Sequence, residues 1–218
     1  MRGSHDERGF MFVELLDRLR CPHVHEDNPL VATTAVTHER YIIEGTLGCS
    51  VCLAEYRVHK GLMDMEGNFP VPALAPDTFS EEKTIRSAAL LGLDERGGLY
   101  LVDLLGRYSI PSYIAMSPDS QFVAMSVVDR QEHAMMSICG RPDALPFAAG
   151  CMRGIAFDLD VSDSLMQSAV KTLAPGGRLV APADTSVPRG VELLARDRDA
   201  WVAERVATPV LTVIRRAD

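Results

Sequence analysis

The chain has 218 residues, of which 47% are hydrophobic and 24% charged, with a formal net charge of −8. That is enough chain for one medium domain, or a small one followed by a medium one, with a real core. The acidic balance argues against a broad phosphate-binding surface, which rests on Lys and Arg, although it leaves room for a local basic patch. No apolar run reaches the roughly 18–20 residues that cross a bilayer, and no apolar signal segment is apparent at the start. With five cysteines, an odd number, this composition points to a soluble protein of the reducing cytoplasm.

Taken in order, residues 1–9 open with Met1-Arg2-Gly3-Ser4-His5, which has the look of an expression tag and is given no function. Phe12, Leu15, Leu16 and Leu19 recur at helical spacing, predicting a short amphipathic helix over 10–19. Cys21-Pro22-His23-Val24-His25 follows. Residues 30–36 and 39–47 read as a β-hairpin, and Gly48 opens Cys49-Ser50-Val51-Cys52 before a further strand over 53–58. Two tight turns rich in Cys and His, joined by a hairpin, are how a chain builds a four-ligand zinc site. The expected ligands are Cys21, Cys49 and Cys52, with His25 better placed by reach than His23 for the fourth. The competing reading is that the thiols are simply buried as small hydrophobes.

Pro70, Pro72 and Pro76 preclude a helix over 67–79, which predicts an extended linker and a domain boundary. Ser80-Glu81-Glu82 then caps a helix ending near Gly92. Beyond it, apolar runs predict strands over 99–102, 121–128, 134–139, 152–159 and 178–181, with a helix over 162–173. A last helix is expected around 191–195, then strands over 201–206 and 210–214. Alternating strands and helices argue for a parallel sheet covered on both faces, with the final hairpin as an antiparallel edge. Met125, Met135 and Met136 read as core filler, Trp201 as packing for the terminal hairpin, Cys139 and Cys151 as buried thiols, and Arg196-Asp197-Arg198-Asp199 as a solvated turn.

Two resemblances sharpen this. The stretch Leu15-Leu16-Asp17-Arg18-Leu19-Arg20-Cys21-Pro22, with Gly48 to Met65, resembles the small zinc-ribbon proteins that activate tRNA and translation-factor methyltransferases. Cys21, Cys49, Cys52, Tyr56 and Gly61 match that pattern, while Val24 stands where its second Cys belongs and His25 follows one residue later. Further on, Arg141-Pro142-Asp143-Ala144-Leu145-Pro146-Phe147 and Leu173-Ala174-Pro175-Gly176-Gly177-Arg178-Leu179-Val180 resemble segments of class I S-adenosylmethionine (SAM) methyltransferases. A ribbon ahead of such a domain is also an arrangement of ribosomal-RNA guanine methyltransferases.

The resemblances imply an α/β protein. A zinc-ribbon-like β domain over 10–66 would precede a Rossmann-like methyltransferase sheet over 80–218, mostly parallel with a terminal antiparallel hairpin. They also imply SAM as a cofactor, held by Asp103 and Gly106 after the first strand, Asp129 after the second, and Asp143 and Ala144 after the third. The family's Asp-x-Gly-x-Gly-x-Gly is broken: Leu105, Arg107 and Ser109 occupy the glycine positions, and only Gly106 remains, out of register. Too few residues follow Asp129 for the usual second crossover helix. Tyr108, His133 and Asp160 are available as general bases, but each reads more readily as structural. Two readings stay open: a pseudoenzyme that scaffolds a methyltransferase or its substrate through the ribbon, and an active methyltransferase with an atypical cofactor loop.

Overall fold

A computed structural model describes residues 11–65, 80–94, 96–127, 131 and 133–206. The expected tag, the Pro-rich linker, Asp129 and the strand over 210–214 lie outside the described residues. The chain starts with a two-residue strand, β1 (Met11–Phe12), and a 3-10 helix over Val13–Arg18. The expected amphipathic helix is therefore shorter and tighter than its periodicity suggested. Its first N–H groups are taken by tertiary partners, Phe12 N–H by the Met135 carbonyl and Val13 N–H by that of Arg40, at 3.0 and 2.9 Å.

Strands β2 (Leu30–His38) and β3 (Tyr41–Cys49) form the expected hairpin, and β4 (Glu55–His59) pairs with β3. A further strand that the sequence did not reveal, β5 (Leu62–Asp64), turns back along β4. Helix α1 (Glu81–Leu91) is capped as expected: Ser80 Oγ accepts from Lys83 N–H, and Gly92 takes the left-handed conformation at its end. Then come β6 (Gly98–Val102), a 3-10 turn over Gly106–Ser109, the short α2 (Ile110–Met116), β7 (Ser120–Val127), β8 (Met136–Cys139), β9 (Met152–Ala156), α3 (Asp163–Thr172) and β10 (Leu173–Pro182). Strands β11 (Val191–Arg196) and β12 (Ala200–Arg205) close the described chain.

The segment around 191–195 is thus a strand, not the expected helix. Asp197 Oδ1 accepts from the N–H groups of Asp199 and Ala200, at 2.8 and 3.1 Å, and so reverses the chain. The reversal lays Val191–Arg196 antiparallel against Ala200–Arg205, where ladder hydrogen bonds outweigh helical propensity.

All the described strands belong to one sheet, ordered β1-β3-β4-β5-β8-β7-β6-β9-β10-β12-β11, with β2 beside β3. Within it, β8-β7-β6-β9-β10 run parallel in the order third, second, first, fourth, fifth, which is the doubly wound Rossmann order with a switch point between β6 and β9. Strand β12 is antiparallel to β10 and supplies the expected antiparallel edge.

Alternation along β6 sorts the core. Tyr100 and Val102 face α1 and α2, while Leu99 and Leu101 join a second cluster that includes Leu165 and Ala169 of α3. That second cluster continues without a break into Met11, Leu15, Leu47 and Tyr56 of the N-terminal part. The loop between β7 and β8 has only positions 128–135, too short for a crossover helix, and the N-terminal part covers the face it leaves.

The Pro-Gly-Gly segment shows why both glycines matter. Gly176 has φ +75°, and a Cβ on Gly177 would lie 2.8 Å from the Ala174 carbonyl oxygen and 3.1 Å from those of Met152 and Arg153. Gly177→Ala is expected to cost about 1–3 kcal/mol in urea unfolding, by crowding backbone that cannot move aside. Gly176→Ala, with open space around it, is expected to cost about 1 kcal/mol.

Candidate functional site

Two constellations deserve the name of site, and the first is the Cys/His cluster. Strand β3 ends at Cys49, whose N–H donates to the Ala54 carbonyl while Leu53 N–H returns to Cys49, closing the second turn. Cys21 N–H donates to the Asn28 carbonyl and closes the first. The Cys21, His25, Cys49 and Cys52 ligand atoms then all lie within 4.8 Å of one another.

Cys21 Sγ is 3.6 Å from Cys52 Sγ, and Cys49 Sγ is 3.4 Å from His25 Nε2. A tetrahedral site with metal–sulfur bonds of about 2.3 Å and metal–nitrogen bonds of about 2.0 Å has edges of about 3.8 and 3.5 Å, so this group can hold a metal ion. His25 Nδ1 stands 2.6 Å from the Glu26 carbonyl oxygen, which fixes the ring with Nε2 turned inward. His23 Nδ1 is also close, 3.4 Å from Cys52 Sγ. Burial raises the Cys49 thiol pKa, but the N–H groups of Cys52 and Val51 lower it further, and the balance falls at about 6. Cys21, by contrast, is pushed by burial up to about 11.

The second constellation sits where the Rossmann order places a ligand, at the carboxyl ends of the central strands. Asp103 follows β6 and is fully buried. Its Oδ2 pairs with Arg141 Nη2, and Oδ1 has no hydrogen-bond partner among the described residues. Arg141 also donates to Ser126 Oγ at 3.3 Å and to the Asp160 carbonyl at 2.9 Å.

Beside them, Asp158 Oδ2 accepts from Leu105 N–H at 2.6 Å and from Gly106 N–H at 2.9 Å. Those are the backbone donors that the turn after the first strand would otherwise offer to a cofactor. Arg107, at a position where the family pattern has glycine, is buried over the Tyr108 ring and donates to its hydroxyl at 2.7 Å.

Of the five cofactor positions expected from sequence, Asp129 lies outside the described residues and the other four fall in two places. Asp103 is sealed by Arg141, and the Gly106 N–H is taken by Asp158. Asp143 and Ala144 line a cavity of about 410 Å3 facing the Cys/His cluster, together with Pro22, His23, Cys52 and Tyr56. Of the general-base candidates, Tyr108 belongs to the Arg107 stack, Asp160 serves Arg141 through its carbonyl, and His133 lies across the molecule in a groove beside Phe12 and Tyr41. Arg141 and Asp158 were missed. The sequence signal for Asp158 is the Phe157-Asp158 pair after an apolar strand; Arg141 carries none, because its partner is 38 positions away.

No protein-family profile matches this chain, and neither does any curated protein. Solved structures with a similar fold include the antibiotic-resistance methyltransferase Kmr, at 13% identity over 57% of this chain and 93% of that one, with a TM-score of 0.38. A putative SAM-dependent methyltransferase from Methanococcus maripaludis is 10% identical over 59% and 86%, with a TM-score of 0.40. The [4+2]-cyclase SpnF is 14% identical over 59% and 63%, with a TM-score of 0.44. The strand order of this chain itself defines its fold as Rossmann-like. Among the described residues, no helix is long and apolar enough to cross a membrane.

Burial, and then the nearby Asp103 charge, raise the Asp158 pKa to about 6, against the pull of the Gly106 and Leu105 N–H groups. A carboxyl raised on folding holds its proton more tightly in the folded state, so its contribution to stability falls as pH rises from about 4 to about 6. The loss is on the order of 3 kcal/mol. Asp158→Asn is expected to remove that dependence. The difference in melting temperature between variant and parent should move in the variant's favour across this window and be flat above it.

Proposed function

We propose that this chain is a methyltransferase-like protein that has lost SAM binding and serves as a scaffold for a protein partner, either a methyltransferase or its substrate. The observation that carries the reading is that the carboxyl end of the sheet spends two backbone N–H groups and one oxygen of its first acid on neighbouring side chains. A Rossmann-like cofactor site works by leaving backbone N–H groups and an acid free for the ligand. Here Asp158 takes the N–H groups of Leu105 and Gly106, and Arg141 takes Asp103. A ligand entering would have to break a buried ion pair and two charge-assisted hydrogen bonds, each break leaving a polar group unpaired.

The Cys/His cluster holds zinc in this reading. Three thiolates and one imidazole close the coordination sphere, which makes the ion structural and leaves no open position for catalysis. Five free thiols fit a reducing compartment such as the cytoplasm. A second reading, an active SAM-dependent methyltransferase with an atypical loop, is favoured by one feature. A cleft of about 530 Å3 opens at the carboxyl ends of β9 and β10, with Lys83 and Arg86 on its wall.

Calorimetric titration of SAM and of its demethylated product separates the two. No heat and no thermal shift at millimolar ligand is the expected result; micromolar binding would overturn the scaffold reading. For the metal, about one zinc per chain is expected in protein purified without chelator, and less than about half an equivalent would sink the zinc assignment. Cys49→Ser is expected to lower the melting temperature by roughly 5–10 °C, as a loss of about 3 kcal/mol does in a chain of this size.

A further inference from the structure

The N-terminal part has two ends with different fates. Its β5 edge is spent inside the chain, paired in parallel with β8. Its metal end lies beside the loop after β8 and carries exposed apolar side chains that nothing in the described structure accounts for.

Leu53 follows Cys52 with φ +59° and is 80% exposed. A leucine there is doubly disfavoured: the left-handed conformation suits glycine, and an exposed isobutyl group gains nothing from burial. Val24, beside His25, is fully exposed, and Val51, between Cys49 and Cys52, is exposed as well. Three apolar side chains thus frame one Cys/His cluster. Next to them opens the cavity of about 410 Å3 shared with the loop after β8. Pro22, Ala54, Met65 and Pro142 give it apolar wall, Glu55 and Asp143 contribute carboxylates, and neither Lys nor Arg is among its lining residues.

We propose that this metal end is a docking surface for a protein segment in which an apolar side chain is flanked by Lys or Arg. The apolar residue enters the cavity beside Leu53 and Val24, and the cations meet Glu55 and Asp143. Charge selects this occupant over others: a nucleic acid or an anionic membrane would meet two carboxylates and, among the described residues lining the cavity, neither Lys nor Arg, on a chain whose net charge is −8. The apolar tips give the contact its hot spot, and the acids fix its register. Zinc, in the reading above, holds the two turns in register, so docking depends on the metal. The proposal rests on the scaffold reading and names the chemistry of its partner.

The test uses the full chain loaded with zinc and a random-peptide display library, followed by anisotropy measurements on a labelled peptide of the enriched sequence. Enrichment of sequences with an apolar residue between Lys or Arg is expected. Leu53→Gly relieves the backbone strain, so it should leave the melting temperature unchanged or higher while weakening the peptide by at least roughly tenfold. Asp143→Lys and added salt should weaken it too, and chelation should abolish it.

No enrichment, an acidic consensus, or full binding by Leu53→Gly would overturn the proposal. So would light scattering that showed the patch covered by a second copy of the chain, released by Leu53→Gly. SAM binding in the titration above would sink the loss of the cofactor and leave this surface standing. Failure here would sink the surface and leave the closed cofactor end intact.

Discussion

Leu62, Met63 and Asp64 run parallel to Ser137, Ile138 and Cys139, and this three-residue ladder joins what would otherwise be two sheets. A parallel pair needs a long connection between its strands, and here that connection spans everything from β5 to β8. Its consequence is a shared interior. Without the ladder, β8 would be an edge strand, and the face carrying Met136 and Ile138 would lie bare where the missing crossover helix should cover it. With it, Met63, Leu47 and Leu15 fill that space, and one hydrophobic cluster runs from the first strand to Trp201.

A second seam reinforces the first. Arg20 N–H donates to the Pro146 carbonyl, Ala148 N–H donates to that of Arg18, and Leu19 pairs across to Phe147. The Leu145-Pro146-Phe147 stretch that resembles a methyltransferase segment is therefore also where the N-terminal part is stitched to the sheet. The Cys/His turns meet the same interior through Tyr56, which is buried and whose hydroxyl stands 3.9 Å from Cys21 Sγ.

At the other end of the central strands, the chemistry is one of compensation. Asp103, Asp158 and Arg141 form a buried group with two acids and one base, and burial raises the pKa of both acids, that of Asp158 to about 6. Backbone N–H groups from Leu105 and Gly106 steady Asp158. The Asp158 carboxylate and one Asp103 oxygen are thus spent on neighbouring groups. Among the described residues, buried Asp103 Oδ1 and the Nε and Nη1 of Arg107 have no hydrogen-bond partner, so the compensation is incomplete.

Local chemistry was legible in the sequence wherever it was written in neighbouring residues. The cap at Ser80, the stop at Gly92, the hairpin over residues 30–49 and the apolar strand ahead of Asp103 depend on propensity and periodicity, which a short window contains. The four residues expected as metal ligands could likewise be named from spacing, since a tight turn delivers its donors in pairs. What sequence could not supply was anything settled by distant partners. The strand at Val191–Arg196 is made by an Asx turn and a neighbouring strand, β5 exists because β8 lies beside it, and Asp103 is neutralised by an arginine 38 positions away. By itself, then, the sequence determined the elements written in local pattern and the residue types of the Cys/His cluster. Tertiary structure alone decided that one sheet joins the two parts and that Asp103 meets Arg141 while Asp158 meets the Leu105 and Gly106 N–H groups, because long-range hydrogen bonds and buried ion pairs depend on which groups meet in space.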